Sequence, residues 1–225
     1  MKIVLTGTGR VASGSVEVLE AMGIRRVDSS DFLNNQYDEA VFTQLDCIDY
    51  AARKDGKPFV LQDFFQNSSE YKSIFEPYTK AANLMINGIY WDNAAPAFFT
   101  KEMMKFADFN IQVIADITCD IAPVASIPST LYATTIAKPV FGYDVQTENS
   151  TTPYQSQTVD MMTIDNLPNE LPRDASQNFG EQFTEYILDE LLLNESKVIE
   201  RATITEHGDL TSCFEYLRDY LNGEE

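Results

Sequence analysis

KIVLTGTGRVASGSVEVLEAMGI, residues 2–24, decides the fold. Its apolar start, Ile3, Val4 and Leu5, reads as a strand. Gly7, Gly9 and Ala12 follow at G-x-G-x-x-A spacing, and Val16, Val18, Leu19 and Met22 repeat as the buried stripe of a helix. A strand that turns through small residues into a helix is the phosphate-cradling element of dinucleotide-binding folds. Gly7 permits the tight turn, Gly9 lets backbone approach a phosphate with no Cβ between, and Ala12 lets the helix lie close on the strand. The first N–H groups of the helix have no partner within it and face the anion. Arg10 is either a second positive group for that anion or a solvated loop arginine.

The chain has 225 residues, enough for one large domain or, as favoured here, one domain with a sizeable appendage. Hydrophobic residues make up 44%, mean hydropathy is -0.22, and no apolar run approaches the roughly 20 residues of a membrane span. No secretory signal is read at the N-terminus. Cys47, Cys119 and Cys213 are widely spaced with no C-x-x-C pair, which suits a reducing cytoplasm and neither a disulfide framework nor a zinc site. A net charge of -19 argues against nucleic acid or an anionic membrane as partner, so any anionic ligand must be held locally.

Arg25 to Val27 reads as the end of a second strand. Asp28 follows Gly7 at about the distance expected of the acid that binds the adenosine ribose, with Asp31 as the alternative. A carboxylate there favours NAD; an arginine such as Arg25 or Arg26 would instead welcome the 2′-phosphate of NADP, and Asp28 also suits a turn or helix cap. AVFTQLD from Ala40 reads as a third strand. The stretch from Tyr50 to Thr79 reads as a helical insertion with Phe64, Phe65, Tyr71, Phe75 and Tyr78 on one buried face, and Pro77 ending or kinking it.

ANLMINGIYW (82–91) and IQVIADITCD (111–120) read as further buried strands, with KEMMKFADF (101–109) a short helix between them. Strands alternating with helices predict an α/β protein with a doubly wound, mostly parallel Rossmann-like sheet, a helical insertion and a C-terminal strand-helix appendage. Ligands sit beyond the carboxyl ends of such strands, which makes Tyr90, Thr118 and Asp120 candidates for lining the site. KPVFGYDV (138–145) and QTVDMMTIDNLP (157–168) add two strands, and LPRDASQNFGEQFTEYILDELL (171–192) a helix with Phe179, Phe183, Ile187 and Leu191 on its apolar face. The tail (198–221) reads as a strand, a turn at His207-Gly208-Asp209 and a helix using Phe214, Leu217 and Leu221. The expected division is residues 1–193 and 194–225. His207, the only histidine, is a turn residue, and no catalytic triad or metal cluster is apparent.

VIADITCDIAPVASIPSTLYATTIAKPVFGYD (113–144), MMTIDNLPNELPRDAS (161–176), GRVASG (9–14) and INGIYW (86–91) resemble the NAD-binding portion of the lysine-forming saccharopine dehydrogenases, relatives of alanine dehydrogenase and transhydrogenase. The resemblance implies that Gly9 and Arg10 hold the pyrophosphate, Asp28 the adenosine ribose, and that Tyr90 and Ile117 lie against the cofactor. It further implies that Thr118, Cys119 and Asp120 face the amino-acid substrate, and that Ile164, Asp165, Asn166 and Leu167 form a turn near the nicotinamide. Family members place a substrate domain before the glycine strand, carrying the lysine and histidine that transfer protons. Here that strand starts at Lys2, so the expectation is a dinucleotide-binding part lacking most of the acid–base machinery: an excised domain, a truncated product, or one half of a split enzyme. An alanine dehydrogenase-like domain and a non-catalytic dinucleotide-binding regulatory module are the alternatives. A domain parted from its partner should expose apolar surface, which predicts self-association through the aromatic insertion or the terminal helix.

Overall fold

The computed structural model describes residues 1–193 and 195–223. The strands and helices through residue 116 are β1 (Lys2–Thr6), α1 (Arg10–Ala21), β2 (Arg25–Arg26), α2 (Ser29–Asn34), β3 (Val41–Leu45), α3 (Cys47–Tyr50), β4 (Ala51–Arg53), α4 (Leu61–Gln66), β5 (Tyr71–Ser73), α5 (Glu76–Ala81), β6 (Leu84–Asn87) and β7 (Val113–Asp116). After them come β8 (Val140–Asp144), β9 (Asn149–Thr151), β10 (Thr158–Met162), α6 (Leu167–Glu170), α7 (Pro172–Tyr186), α8 (Leu188–Leu192), α9 (Lys197–Ala202), β11 (Thr205–Glu206), β12 (Asp209–Leu210) and α10 (Arg218–Asn222). The chain divides into two compact units, Met1–Asp165 and Asn166–Glu225. The sequence-based appendage starts at Asn194, which lies outside the described residues, as do Glu224 and Glu225 at its end.

The first unit is built on an eight-stranded sheet in the order β2-β3-β1-β6-β7-β10-β8-β9. Six strands run parallel; β8 is antiparallel to β10, and β9 antiparallel to β8. Val4 and Leu5 of β1 are fully enclosed at the middle of this sheet, where strand-forming apolar residues belong. Because side chains alternate across a strand, Ile3 packs with Leu19 of α1 on one face while Val4 joins the larger cluster on the other. The α1 stripe is narrower than its sequence pattern: Ala12 and Leu19 are buried, but Val18 and Met22 are 60% and 68% exposed. Those two lie around the helix from Ala12 and Leu19, which face the sheet.

The insertion is only partly helical. β4 and β5 pair antiparallel inside it, so its aromatic residues converge from a hairpin and short helices instead of from one helical face. Tyr71 packs edge-on against Phe64 at 5.0 Å and Phe59 at 5.6 Å, and its hydroxyl donates to Asp63 at 2.7 Å. Phe65, expected on the buried face, is 64% exposed. Pro77 opens α5 instead of ending a helix, since a missing N–H is harmless in the first turn. Residues 101–109 hold one short 3-10 turn, Met103–Lys105.

In the second unit, the 171–192 helix breaks at Ile187 into α7 and α8, and no described residue is buried. Phe179, expected on a core face, is 70% exposed, and Leu191 is also exposed. The expected strand at the start of the tail is instead α9; β11 and β12 then form the hairpin around His207 and Gly208. No described helix is long and apolar enough to cross a membrane.

Candidate functional site

Parallel strands share a direction, so β3, β1, β6, β7 and β10 all end on one margin of the sheet and bring the segments after them together. The glycine turn after β1 is fitted backbone to backbone with the end of β6. Gly7 sits at φ +101, and a Cβ there would stand 2.7 Å from the Gly88 carbonyl oxygen. A Cβ on Gly88 would in turn be 3.3 Å from Ala12 N and Cα. The Gly7 N–H donates to Leu45 O at 3.0 Å, the Gly88 N–H to Thr6 O at 3.1 Å, and Gln44 Nε2 to Gly7 O at 2.8 Å.

Gly9 is different in kind. Its φ of -79 suits any residue, and a Cβ added to it meets nothing within 4 Å. It stands at the N-cap of the twelve-residue α1, an end that no side chain caps and whose first turn holds no acid. Open space thus lies before a set of N–H donors and the positive pole of a helix dipole, the arrangement that receives a phosphate. Arg10, the first helical residue, is exposed and in no ion pair among the described residues.

Beneath this margin runs a buried polar network that sequence reasoning missed. Thr6 Oγ1 donates to Asn87 Oδ1 at 2.8 Å, and Asn87 Nδ2 donates to Asp116 Oδ1 at 2.8 Å and Ser126 Oγ at 2.9 Å. Thr130 Oγ1 closes on Asp116 Oδ2 at 2.5 Å. These side chains cross-link the ends of β1, β6 and β7 to the 117–130 loop, each with its polar atoms satisfied as burial demands. Burial raises the Asp116 carboxyl above the usual carboxylate range, against hydrogen bonds from Thr130, Asn87 and the Cys119 N–H that favour its charged form. The signal in the sequence is an Asn and an Asp at the last positions of two otherwise apolar strands.

Of the predicted residues, Gly7, Gly9, Arg10, Ala12, Tyr90, Ile117, Thr118, Cys119, Asp120, Ile164 and Asp165 all follow strands ending on this margin of the first unit. Tyr90 is 98% exposed. Ile117 N–H donates to Asn87 O at 2.9 Å, and Thr118 Oγ1 to Ile89 O at 3.0 Å, which tie the end of β7 to that of β6. Cys119 adopts a left-handed φ of 53 and donates its thiol to Thr163 O at 3.2 Å. Burial, then the charges of Asp116, Asp165 and Asp120, push that thiol up to about 11, so it is a protonated donor and not a nucleophile at neutral pH. Burial also raises Asp120. Ile164 is held by a parallel bridge to Thr134. Asn166 and Leu167 belong to the second unit, at the start of α6. Asp28 follows the outer strand β2 and precedes α2, and Asp31 lies within α2.

No family model matches this chain. It is 27% identical to α-aminoadipic semialdehyde synthase of Arabidopsis thaliana over 95% of its own length and 22% of the relative's. It is 26% identical to the mitochondrial α-aminoadipic semialdehyde synthase of Mus musculus, over 100% of this chain and 27% of that protein. With the saccharopine dehydrogenase [NAD(+), L-lysine-forming] of Neurospora crassa it shares 26% identity over 79% of this chain and 37% of that one. The chain thus spans between about a fifth and two fifths of the length of these relatives. Its homologues are saccharopine dehydrogenases and aminoadipic semialdehyde synthases, a likeness that supports a saccharopine dehydrogenase-like family for this chain.

Proposed function

We propose that this chain is the dinucleotide-binding part of an amino-acid oxidoreductase of lysine metabolism, with NAD as its cofactor. One observation carries the reading: the space at Gly9, which no atom of the protein needs, opens before the uncapped end of α1. The N–H groups of that first turn and Arg10 would hold the diphosphate, while Gly7, Gly88 and Ala12 keep strand and helix close enough to form the cradle. Tyr90, Ile117, Ile164 and Asp165 would line the path of the cofactor, and Thr118, Cys119 and Asp120 would face the amino acid. NAD, when bound, supplies the acceptor for a hydride. This chain positions and shields; proton-transfer groups come from another part of the full-length protein or from a separate subunit, for which the remaining length of the relatives leaves room. Three free thiols suit work in a reducing compartment, the cytoplasm in this reading.

The test is titration with NADH, followed by fluorescence of Trp91, the single tryptophan, which neighbours Tyr90. Gly9→Asp should weaken binding about a hundredfold or more, because it places a carboxylate within a few ångströms of the diphosphate. The same variant should fold as well as the parent or slightly better, since its backbone angles suit any residue and aspartate caps helices well. Unchanged affinity in Gly9→Asp would sink the assignment.

A further inference from the structure

We propose that Asp46, and not Asp28, is the acid that meets the adenosine ribose, and that it makes the site select a dinucleotide with a free 2′-hydroxyl. This rests on the dinucleotide reading above. In doubly wound dinucleotide folds the ribose acid stands at the carboxyl end of the strand beside the glycine strand, and that neighbour is usually the second strand in the chain. Here spatial order and chain order part company. The neighbour of β1 is β3, with Thr6 opposite Leu45, and β2 lies outside it. Counting residues from Gly7 therefore leads to Asp28, whereas following the sheet leads to Asp46.

Two distances separate the candidates. Asp28 is two strand spacings from β1, about 9–10 Å across the sheet. It also leaves the sheet early: Arg26 pairs with Phe42, so Asp28 departs before the level of Leu45. Asp46 comes directly after Leu45 and is level with Gly7. The two turns are bonded to each other, Gly7 N–H to Leu45 O at 3.0 Å and Gln44 Nε2 to Gly7 O at 2.8 Å, so Asp46 is held beside the cradle. Its carboxylate is further oriented by a reciprocal cap, accepting from Cys47 N–H at 2.6 Å while its own N–H donates to Asp49 Oδ2 at 2.9 Å, and it remains exposed.

The same register removes the arginines that could favour a 2′-phosphate. Arg25 and Arg26 pair with Val41 and Phe42, so Arg26 stands three residues, about 10 Å, short of the Leu45 end. Arg25 is also engaged with Glu39 at 2.8 Å and lies over the Tyr37 ring. What stands beside the glycine turn is a carboxylate, which accepts from ribose hydroxyls and repels a phosphate in their place.

The experiment titrates the 225-residue chain with NADH and with NADPH, for the parent, Asp46→Ser, Asp46→Asn and Asp28→Ser. Both Asp46 replacements keep an oxygen able to cap α3, so loss of affinity is separated from loss of fold by an unchanged thermal midpoint. The parent should prefer NADH by about tenfold or more. Asp46→Ser should lose about tenfold or more in NADH affinity, the scale of a hydrogen bond to a charged group, and should level or invert the preference. Asp46→Asn should shift in the same direction, and Asp28→Ser should stay within about twofold of the parent for both nucleotides. Loss of NADH binding in Asp28→Ser with Asp46→Ser unaffected would overturn the proposal and leave the dinucleotide reading intact, as would indifference to all three substitutions. A parent chain that binds neither nucleotide would take down the reading and the proposal together.

Discussion

Between Met1 and Asp165 many of the large side chains are wholly enclosed, Tyr71, Phe75 and Tyr143 among them, whereas from Asn166 onward no described residue is buried and Phe179, Leu192 and Tyr220 face solvent. Both regions contain helices with apolar repeats. In α1 the repeat meets a sheet and buries Leu19. In α7 the ring of Phe179 stacks on Phe183 at 6.1 Å, and the helix carries side-chain pairs such as Gln177 to Glu181 at 2.9 Å. A periodic pattern thus specifies where a helix forms, and only a facing element turns that pattern into a core.

The strongest way to break this comparison is truncation of one ring in each region. Phe75→Ala should destabilise the protein by about 3–5 kcal/mol in urea unfolding, while Phe179→Ala should move it by no more than about 0.5 kcal/mol. Equal costs would mean that α7 buries its apolar face after all. Glycines offer a second contrast, with opposite signs. Gly7→Ala forces a side chain into a left-handed turn and against Gly88, a loss of about 1–3 kcal/mol. Gly180→Ala, in α7 with nothing within 4 Å of the new methyl, should stabilise its helix by up to about 1 kcal/mol. Circular dichroism on heating would read both.

Acidity gives the smallest effect and again opposite directions. Burial raises Asp116, so its neutral form is the one folding favours: its contribution is complete below the ordinary aspartate value of about 4 and is lost as pH rises through the raised one. Asp116→Asn should flatten the pH dependence of the unfolding midpoint in that window. In the second unit Arg218, bonded to Glu215 at 2.8 Å and Asp209 at 2.5 Å, lowers both carboxyls. Their contribution is present above the ordinary carboxylate range and fades as pH falls through the lowered values. Because these groups are exposed, salt near about 1 M should erase most of it while leaving the Asp116 effect in place.

The glycine turn and the strands at β1, β3, β6, β7, β8 and β10 were legible because each is a local pattern of apolar runs closed by turn residues. What was not legible depends on pairing between distant segments. Nothing in residues 25–45 announces that β3 inserts between β2 and β1, yet that insertion decides which acid lies beside Gly7. Gly88 reads as an ordinary end of a strand until Gly7 and Ala12 are seen closing on it. Asn87 and Asp116 look like strand termini, and their link through space to Ser126 and Thr130 depends on the 117–130 loop folding back. The β4–β5 pair is hidden by the seventeen residues between Arg53 and Tyr71, in which the aromatic residues imitate a helical period.

The sheet finishes at one side on two residues, Arg25 and Arg26, and at the other on the three polar residues Asn149–Thr151. Margins this short present few unmatched amides and carbonyls to an incoming chain, and exposed charged residues, Arg25 and Arg26, blunt one of them. A crowded solution of this protein therefore has little template from which to grow a cross-molecular ribbon, even though the strands at the centre of the same sheet are as apolar as those that seed fibrils.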